Sequence, residues 1–259
     1  MILFLLFSPA GAAATEPTEL PVLAKVEPWT HAAKPVGYRG RIWFANANRW
    51  PEHNSADIWS MRPDGSGLRM ERRLFSQDVG EPAVHDGLLY WPFEDPRVSL
   101  GWGQIAVTNG RDWQVLETGV GRQFHVHGIY PRGDTLYAAA SSWSAQILRS
   151  GDRGLSWDIL YAAARQEKRY SRTYQLVPTA NGLLGDLIEF GGGPRSFSLL
   201  RHAGGEPQSF AGWPADDGLV RRALQTPDGP LVLIERFSFS WNHHENEITQ
   251  LAQVVAILE

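Results

Sequence analysis

His125-Val126-His127 is the segment of the chain best suited to chemistry. Side chains two apart in a β-strand share a face, so both imidazoles stand on one side. Near pKa 6.5 an imidazole can donate or accept a proton, recognise an anion or ligate a metal. A metal would need further ligands, which Glu94, Asp95, His53 or His85 would have to bring from other segments. Hydrogen-bonded structural histidines are the plainer reading of such a pair, and neither a metal nor a cofactor is expected. His243-His244 offers less, because adjacent strand residues face opposite sides.

Glu94 and Asp95 are adjacent, and with Glu189 they could supply acid and base for glycoside cleavage if the carboxyls approach within about 5 to 10 Å. The competing reading is that each sits on a solvated loop. Arg97, Arg172, Trp143 and Trp241 complete the candidate ligand-binding set of His125, His127, Glu94, Asp95, Arg97, Trp143, His53, Arg172, Glu189 and Trp241. An aromatic face covers the apolar face of a sugar while polar groups bond its hydroxyls, so the combination points to a glycan. About half of the Trp residues are expected to pad the core instead.

These residues need a scaffold, and the scaffold is a repeat. Short runs of β-branched and aromatic residues alternate with polar ones between Gly, Pro, Asp and Asn, and no long stretch holds a helical period. A turn residue precedes an apolar strand opening at Ile42, Leu89, Leu136, Leu184 and Leu231, spaced by 47, 47, 48 and 47 residues. A constant period of that length predicts an all-β fold, a five-bladed β-propeller of four-stranded blades. Third strands are expected at Ile58-Trp59-Ser60, Ile105-Ala106-Val107, Ile147-Leu148-Arg149, Phe197-Ser198-Leu199 and Ile248-Thr249-Gln250. The last unit has little room for a fourth strand, so the apolar N-terminal segment 20–26 is expected to close the ring, which would remove exposed sheet edges. The loops between second and third strands, which hold most of the candidate residues, converge on one face in this register.

After the third strand of the third unit comes Ser150-Gly151-Asp152-Arg153-Gly154-Leu155-Ser156-Trp157. It resembles the Asp-box, or BNR repeat, S-x-D-x-G-x-[ST]-W, at every defined position. Shortened or degenerate copies stand at residues 108–113 and 60–67, and residues 202–205 make a turn without the motif. Asp can accept backbone N–H bonds, Gly supplies a permissive φ, and the aromatic packs back on the turn. The resemblance implies a propeller in which Ser150, Asp152, Gly154, Ser156 and Trp157 are structural and peripheral. It does not imply an activity, since sialidases, lectins, assembly factors and sorting receptors share the motif. Sialidases of this kind have six blades, an early Phe/Tyr-Arg-Ile-Pro segment, an arginine triad and a Tyr/Glu pair. Here there are five periods and Tyr38-Arg39-Gly40-Arg41-Ile42, so sialidase activity is not expected. Five-bladed glycosidases of the arabinanase and invertase type place an acid on the first innermost strand, and residues 33–38 hold none.

With 259 residues, the chain suits one β domain over residues 15–259. Residues 1–14, an apolar run followed by small residues with Ala-x-Ala sites, read as a signal peptide too short to span a bilayer. No Lys or Arg precedes Lys25, so the natural start is expected upstream, and the mature chain is expected to be secreted or periplasmic without a membrane span. The absence of Cys excludes thiol catalysis and thiolate metal sites. A net charge of −4 argues against nucleic acid as a partner, and the basic run at residues 165–172 reads as a solvated loop between units. The leading expectation is an exported propeller that binds a glycan or another polar small ligand. A noncatalytic protein-binding scaffold and a glycoside hydrolase or lyase are the alternatives, with enzyme status open.

Overall fold

The structure is a computed structural model that describes residues 31–48, 55–96, 102–165, 167, 170–179, 182–190, 195–200, 204, 208–209, 218–226, 229–237 and 250–257. His53, Arg97, Trp241, His243, His244, the leader, segment 20–26 and Ile248-Thr249 lie outside the described residues. Every regular element described is a strand, and every strand ladder is antiparallel.

The first meander is β1 (His31–Tyr38), β2 (Arg41–Asn48), β3 (Ser55–Met61) and β4 (Arg69–Leu74), paired in that order. The second comprises β5 (Ser76–Val79), β6 (Ala83–His85), β7 (Leu88–Pro96), β8 (Gln104–Thr108) and β9 (Trp113–Glu117), with β5 and β6 both paired to β7. The third is β10 (His125–Arg132), β11 (Thr135–Ser141), β12 (Ala145–Ser150) and β13 (Asp158–Ala162). In the fourth, β14 (Tyr170–Arg172) and β15 (Leu176–Pro178) pair with β16 (Leu183–Phe190), followed by β17 (Arg195–Leu200) and β18 (Gln208–Ser209). The chain continues in a sheet of β19 (Gly218–Thr226), β20 (Gly229–Phe237) and β21 (Gln250–Ile257). The apolar openings spaced by the repeat all fall near the start of a second strand.

Tight hairpins set the register. Arg39-Gly40 and Asp86-Gly87 carry positive φ at both central positions, the type I′ geometry whose twist matches that of the flanking strands. Each turn is two residues long, so β2 and β7 start with their alternation fixed.

Most inner strands are buried on both faces, because successive meanders stack. Tyr38, Trp43 and Ile58 of the first unit pack with Leu89, Trp91 and Phe93 of the second. Tyr90, one residue out of step, turns instead to Ile129, Leu136, Ala138 and Trp157 of the third. Tyr137 and Ala139 then face Leu176 and Leu183 of the fourth. The period of two thus assigns alternate residues of β7 and β11 to different core layers, which is why both read as nearly continuous apolar runs. Trp43, Trp91 and Trp157 are buried padding, as expected for part of the Trp complement.

Polar contacts clasp the units. The Tyr38 hydroxyl donates to the Gly87 carbonyl at 2.7 Å, and the Tyr90 hydroxyl donates to the Arg153 carbonyl at 3.2 Å beside an Arg153–Asp86 ion pair. In each case a residue of one unit's inner hairpin or second strand holds a turn of the next.

Candidate functional site

β7 delivers Glu94 between two partners, with Asp78 of β5 opposite it on one side and His125 of β10 on the other. The repeat register predicts a loop for Glu94 and Asp95, but both belong to β7, which runs on past the expected end of the second strand. Adjacent strand residues should face opposite sides. Asp95 escapes that rule because its φ is +51°, and its N–H donates to the Phe124 carbonyl at 2.9 Å. Asp95 Oδ1 consequently lies 3.5 Å from His125 Nδ1, while Glu94 Oε1 lies 3.6 Å from His127 Nδ1. The imidazoles share a face as their spacing predicts, stacked at 5.2 Å with 18° between their planes.

Behind this quartet, His127 Nε2 lies 2.9 Å from Ser141 Oγ, and Tyr174 packs on the same ring at 4.5 Å. The Glu94 carboxylate favours a proton on the facing Nδ1, so the Ser141 hydroxyl donates to Nε2. Hydroxyl, imidazole and carboxylate follow the order of a nucleophile relay. Ser141, however, has no exposed surface, and it orients the ring instead of meeting a substrate. What a ligand can reach is Glu94, with 23% of its side chain exposed, and Asp95, with 38%.

Lys34 enters the same cluster, a residue that no spacing or motif singles out. A bulge in β1 and a φ of +60° turn its ammonium to 3.9 Å from Glu94 Oε1, and it donates to the Val79 carbonyl. Lys34 and Asp95 share a signature: each is a non-glycine residue in the left-handed region directly before a proline, Pro35 or Pro96. Such conformations cost of order 1 to 3 kcal/mol and gather at functional sites.

The electrostatics follow from burial and from these neighbours. Burial holds His125 down to about 4, with the charges of Arg172 and His127 adding to it and Glu94 opposing. Burial likewise depresses His127, against the pull of Glu94. Both rings are therefore neutral at neutral pH. Burial alone would raise Glu94, but the attraction of the facing His127, of Lys34 and of His125 outweighs that and holds it at about 2. Asp95 is shifted the other way by burial and by the Glu94 charge, with Arg172 and His127 opposing. Neighbouring carboxyls thus have environments that push their proton affinities apart.

Trp143 stands in the loop between β11 and β12, 51% exposed, with Phe124 edge-on at 5.6 Å and 88°. Arg172 of β14 donates to the Tyr174 hydroxyl at 3.4 Å and acts on Asp95 and both histidines through its charge. Glu189 pairs in backbone register with Ser171, and its side chain is not among the described ones. His85 is not part of the cluster, because it pairs with Leu88 at the far end of β7. Among the described residues no group of three His, Asp or Glu is arranged to hold a metal ion.

The turn from Ser150 to Trp157 sits away from this cluster. Asp152 accepts from the Ser156 N–H at 2.9 Å and from the hydroxyls of Ser150 and Ser156 at 2.8 and 2.5 Å. Gly154 has a φ of +87°, and the Trp157 indole N–H donates to its carbonyl at 3.0 Å. Asn109 repeats the device in the second unit, accepting from the N–H groups of Arg111 and Asp112 at 2.9 Å, and Asp64 does so in the first, accepting from the Ser66 N–H at 2.9 Å.

No family model and no curated protein matches the sequence. Solved structures do resemble it in fold. A protein of unknown function from Dyadobacter fermentans DSM 18053 superposes with a TM-score of 0.54 at 16% identity, covering 80% of this chain and 75% of the other. Puromycin hydrolase gives 0.54 at 15% identity, with 79% of this chain matched to 34% of the enzyme. The GH74 xyloglucanase from Xanthomonas campestris gives 0.51 at 14%, covering 78% and 34%. The chain therefore spans about a third of each of these two propeller enzymes, and its antiparallel all-β architecture is consistent with a β-propeller.

Proposed function

We propose that the chain is an exported five-bladed β-propeller of the Asp-box kind, closed by its N-terminal strand, that binds a glycan where Glu94, Asp95 and Trp143 meet. The reading rests above all on one observation: strained backbone at Asp95 brings two adjacent carboxyls to one side, over a buried neutral imidazole pair. Carboxylate acceptors linked through Phe124 to an exposed indole match a sugar, whose ring has an apolar face and a rim of hydroxyls. The Asp152, Asn109 and Asp64 turns support the Asp-box reading, and the five openings spaced by about 47 residues support the blade number. Two GH74 enzymes among the similar folds are in keeping with a carbohydrate ligand.

A glycan-array screen of the mature protein, followed by titration of the best ligand against Glu94→Gln and Trp143→Ala, tests the proposal. Binding that both variants weaken supports it. Failure to bind any glycan, together with specific capture of a protein, would favour the scaffold reading. A hydrolytic reading has its own support, because paired carboxyls with opposed shifts are the mark of acid and base assignments. Release of reducing sugar from the bound glycan, lost in Asp95→Asn, is its test.

A further inference from the structure

Glu94 and Asp95 are neighbours in the chain, yet each faces its own ring of the imidazole pair through the same atom. Glu94 Oε1 lies 3.6 Å from His127 Nδ1, and Asp95 Oδ1 lies 3.5 Å from His125 Nδ1. The rings are 5.2 Å apart and 18° from parallel. Two carboxyls at nearly equal distances from like atoms of near-parallel rings copy the ring spacing, which puts them about 5 Å apart, the separation of a carboxylate that attacks a sugar directly. Displacement by a water held between carboxylate and sugar needs about 6.5 to 9.5 Å.

The two carboxyls are held differently. Lys34 Nζ and His127 Nδ1 both approach Glu94 at Oε1, at 3.9 and 3.6 Å, and among the described residues Oε2 receives no hydrogen bond. Glu94 is thus anchored by one oxygen with the other left to form a bond, and against burial His127, Lys34 and His125 keep it ionised. Asp95 is the more exposed of the two, and the polar side chain facing it is the neutral His125 ring. Burial and the Glu94 charge raise its hold on a proton, against Arg172 and His127.

We propose that the chain cleaves glycosidic bonds by double displacement, with retention at the anomeric carbon, Glu94 being the nucleophile and Asp95 the acid and base. This rests on the hydrolytic reading above. In the first step Glu94 Oε2 bonds to the anomeric carbon, the bond from that carbon to the leaving oxygen breaks, and the Asp95 proton passes to that oxygen. The products are a glycosyl ester, the released alcohol and an Asp95 carboxylate. Esterification removes the Glu94 charge that raised Asp95, so the same carboxyl then serves as base. In the second step water gives a proton to Asp95 and its oxygen to the anomeric carbon, and the ester bond breaks to return the Glu94 carboxylate.

The test is incubation of the mature protein with dinitrophenyl glycosides of glucose, galactose, xylose and mannose, as single sugars and as trisaccharides, fluorinated at the carbon next to the anomeric one. The fluorine slows the second step, and the leaving group needs no acid. One probe should release a single equivalent of dinitrophenolate in a burst and leave a fluoroglycosyl adduct on Glu94, read by mass spectrometry. Asp95→Ala should still form the adduct, and azide should speed its turnover of the unfluorinated aryl glycoside at least tenfold, giving a glycosyl azide of retained configuration. Turnover that releases the inverted anomer, seen by proton NMR, or an adduct on another residue would overturn the proposal and leave the hydrolytic reading standing. Reaction with none of the probes would overturn both.

Discussion

Lowering the pH from 7.5 to 4.5 should destabilise the protein through His125. The ring is nearly buried and is held at about 4 in the folded state, against an ordinary value of 6.5. Between those values the unfolded chain binds the proton and the folded chain resists it, so stability is retained above pH 6.5 and lost as the pH falls towards 4. At pH 4.5 the loss from this residue works out at about 2 to 3 kcal/mol, since each tenfold difference in proton affinity between the folded and unfolded chains is worth somewhat more than 1 kcal/mol. Glu94 does not interfere, because its depressed value means that its contribution holds above 4.5 and fades only as the pH falls through about 2. Asp95 and His127 do titrate against the same neighbours, so the quantity to compare is the pH dependence of wild type with that of His125→Gln. Urea unfolding at the two pH values should show a midpoint drop about 1 M larger in wild type, for a slope near 2.5 kcal/mol/M. Equal drops in both proteins would refute the claim that a neutral His125 is built into the fold.

Asp152→Ala should cost about 1 to 2 kcal/mol, because the turn loses three acceptor bonds at its hairpin, and should leave ligand binding intact; thermal melting and titration separate the two. Gly80→Ala should destabilise by about 1 to 3 kcal/mol or more, since its Cβ would overlap the Val126 and His127 carbonyl oxygens, and a chemical unfolding curve measures it. Lys34→Met should raise the acid midpoint of Glu94 by removing a facing cation, which carboxyl NMR titration would detect as an upward shift. Secretion of the gene product should yield an N-terminus just after Ala14, read by protein sequencing; an intact leader on a folded intracellular product would count against export.

Much of the architecture is legible in the sequence because it depends on local rules. Glycine-bearing turns at Gly40 and Gly87 fix hairpin register, and alternation then places Leu89, Trp91 and Phe93 on one face and Tyr90 on the other. His125 and His127 share a face as alternation predicts, although β10 bulges at His127, between Val126 and Gly128. The site is legible only in part, because its assembly breaks that rule. Asp95 joins Glu94 on one side only through a positive φ, and Lys34 arrives through a bulge and another positive φ, from a strand about 60 residues away in sequence. Ser141 carries no signal at all, since a buried hydroxyl on an imidazole looks like any strand serine. Arg165 and Trp143 are visible singly, but their stacking depends on how the third and fourth units meet.

Whether ligands meet the chain at Glu94, Asp95 and Trp143 is decided by a crystal structure of the mature protein soaked with the tightest-binding oligosaccharide. A sugar ring should lie against Trp143 with hydroxyls within hydrogen-bond distance of the Glu94 and Asp95 carboxylates. A sugar seated at the Ser150–Trp157 turn, with the carboxylate and imidazole cluster unchanged, would rule this site out.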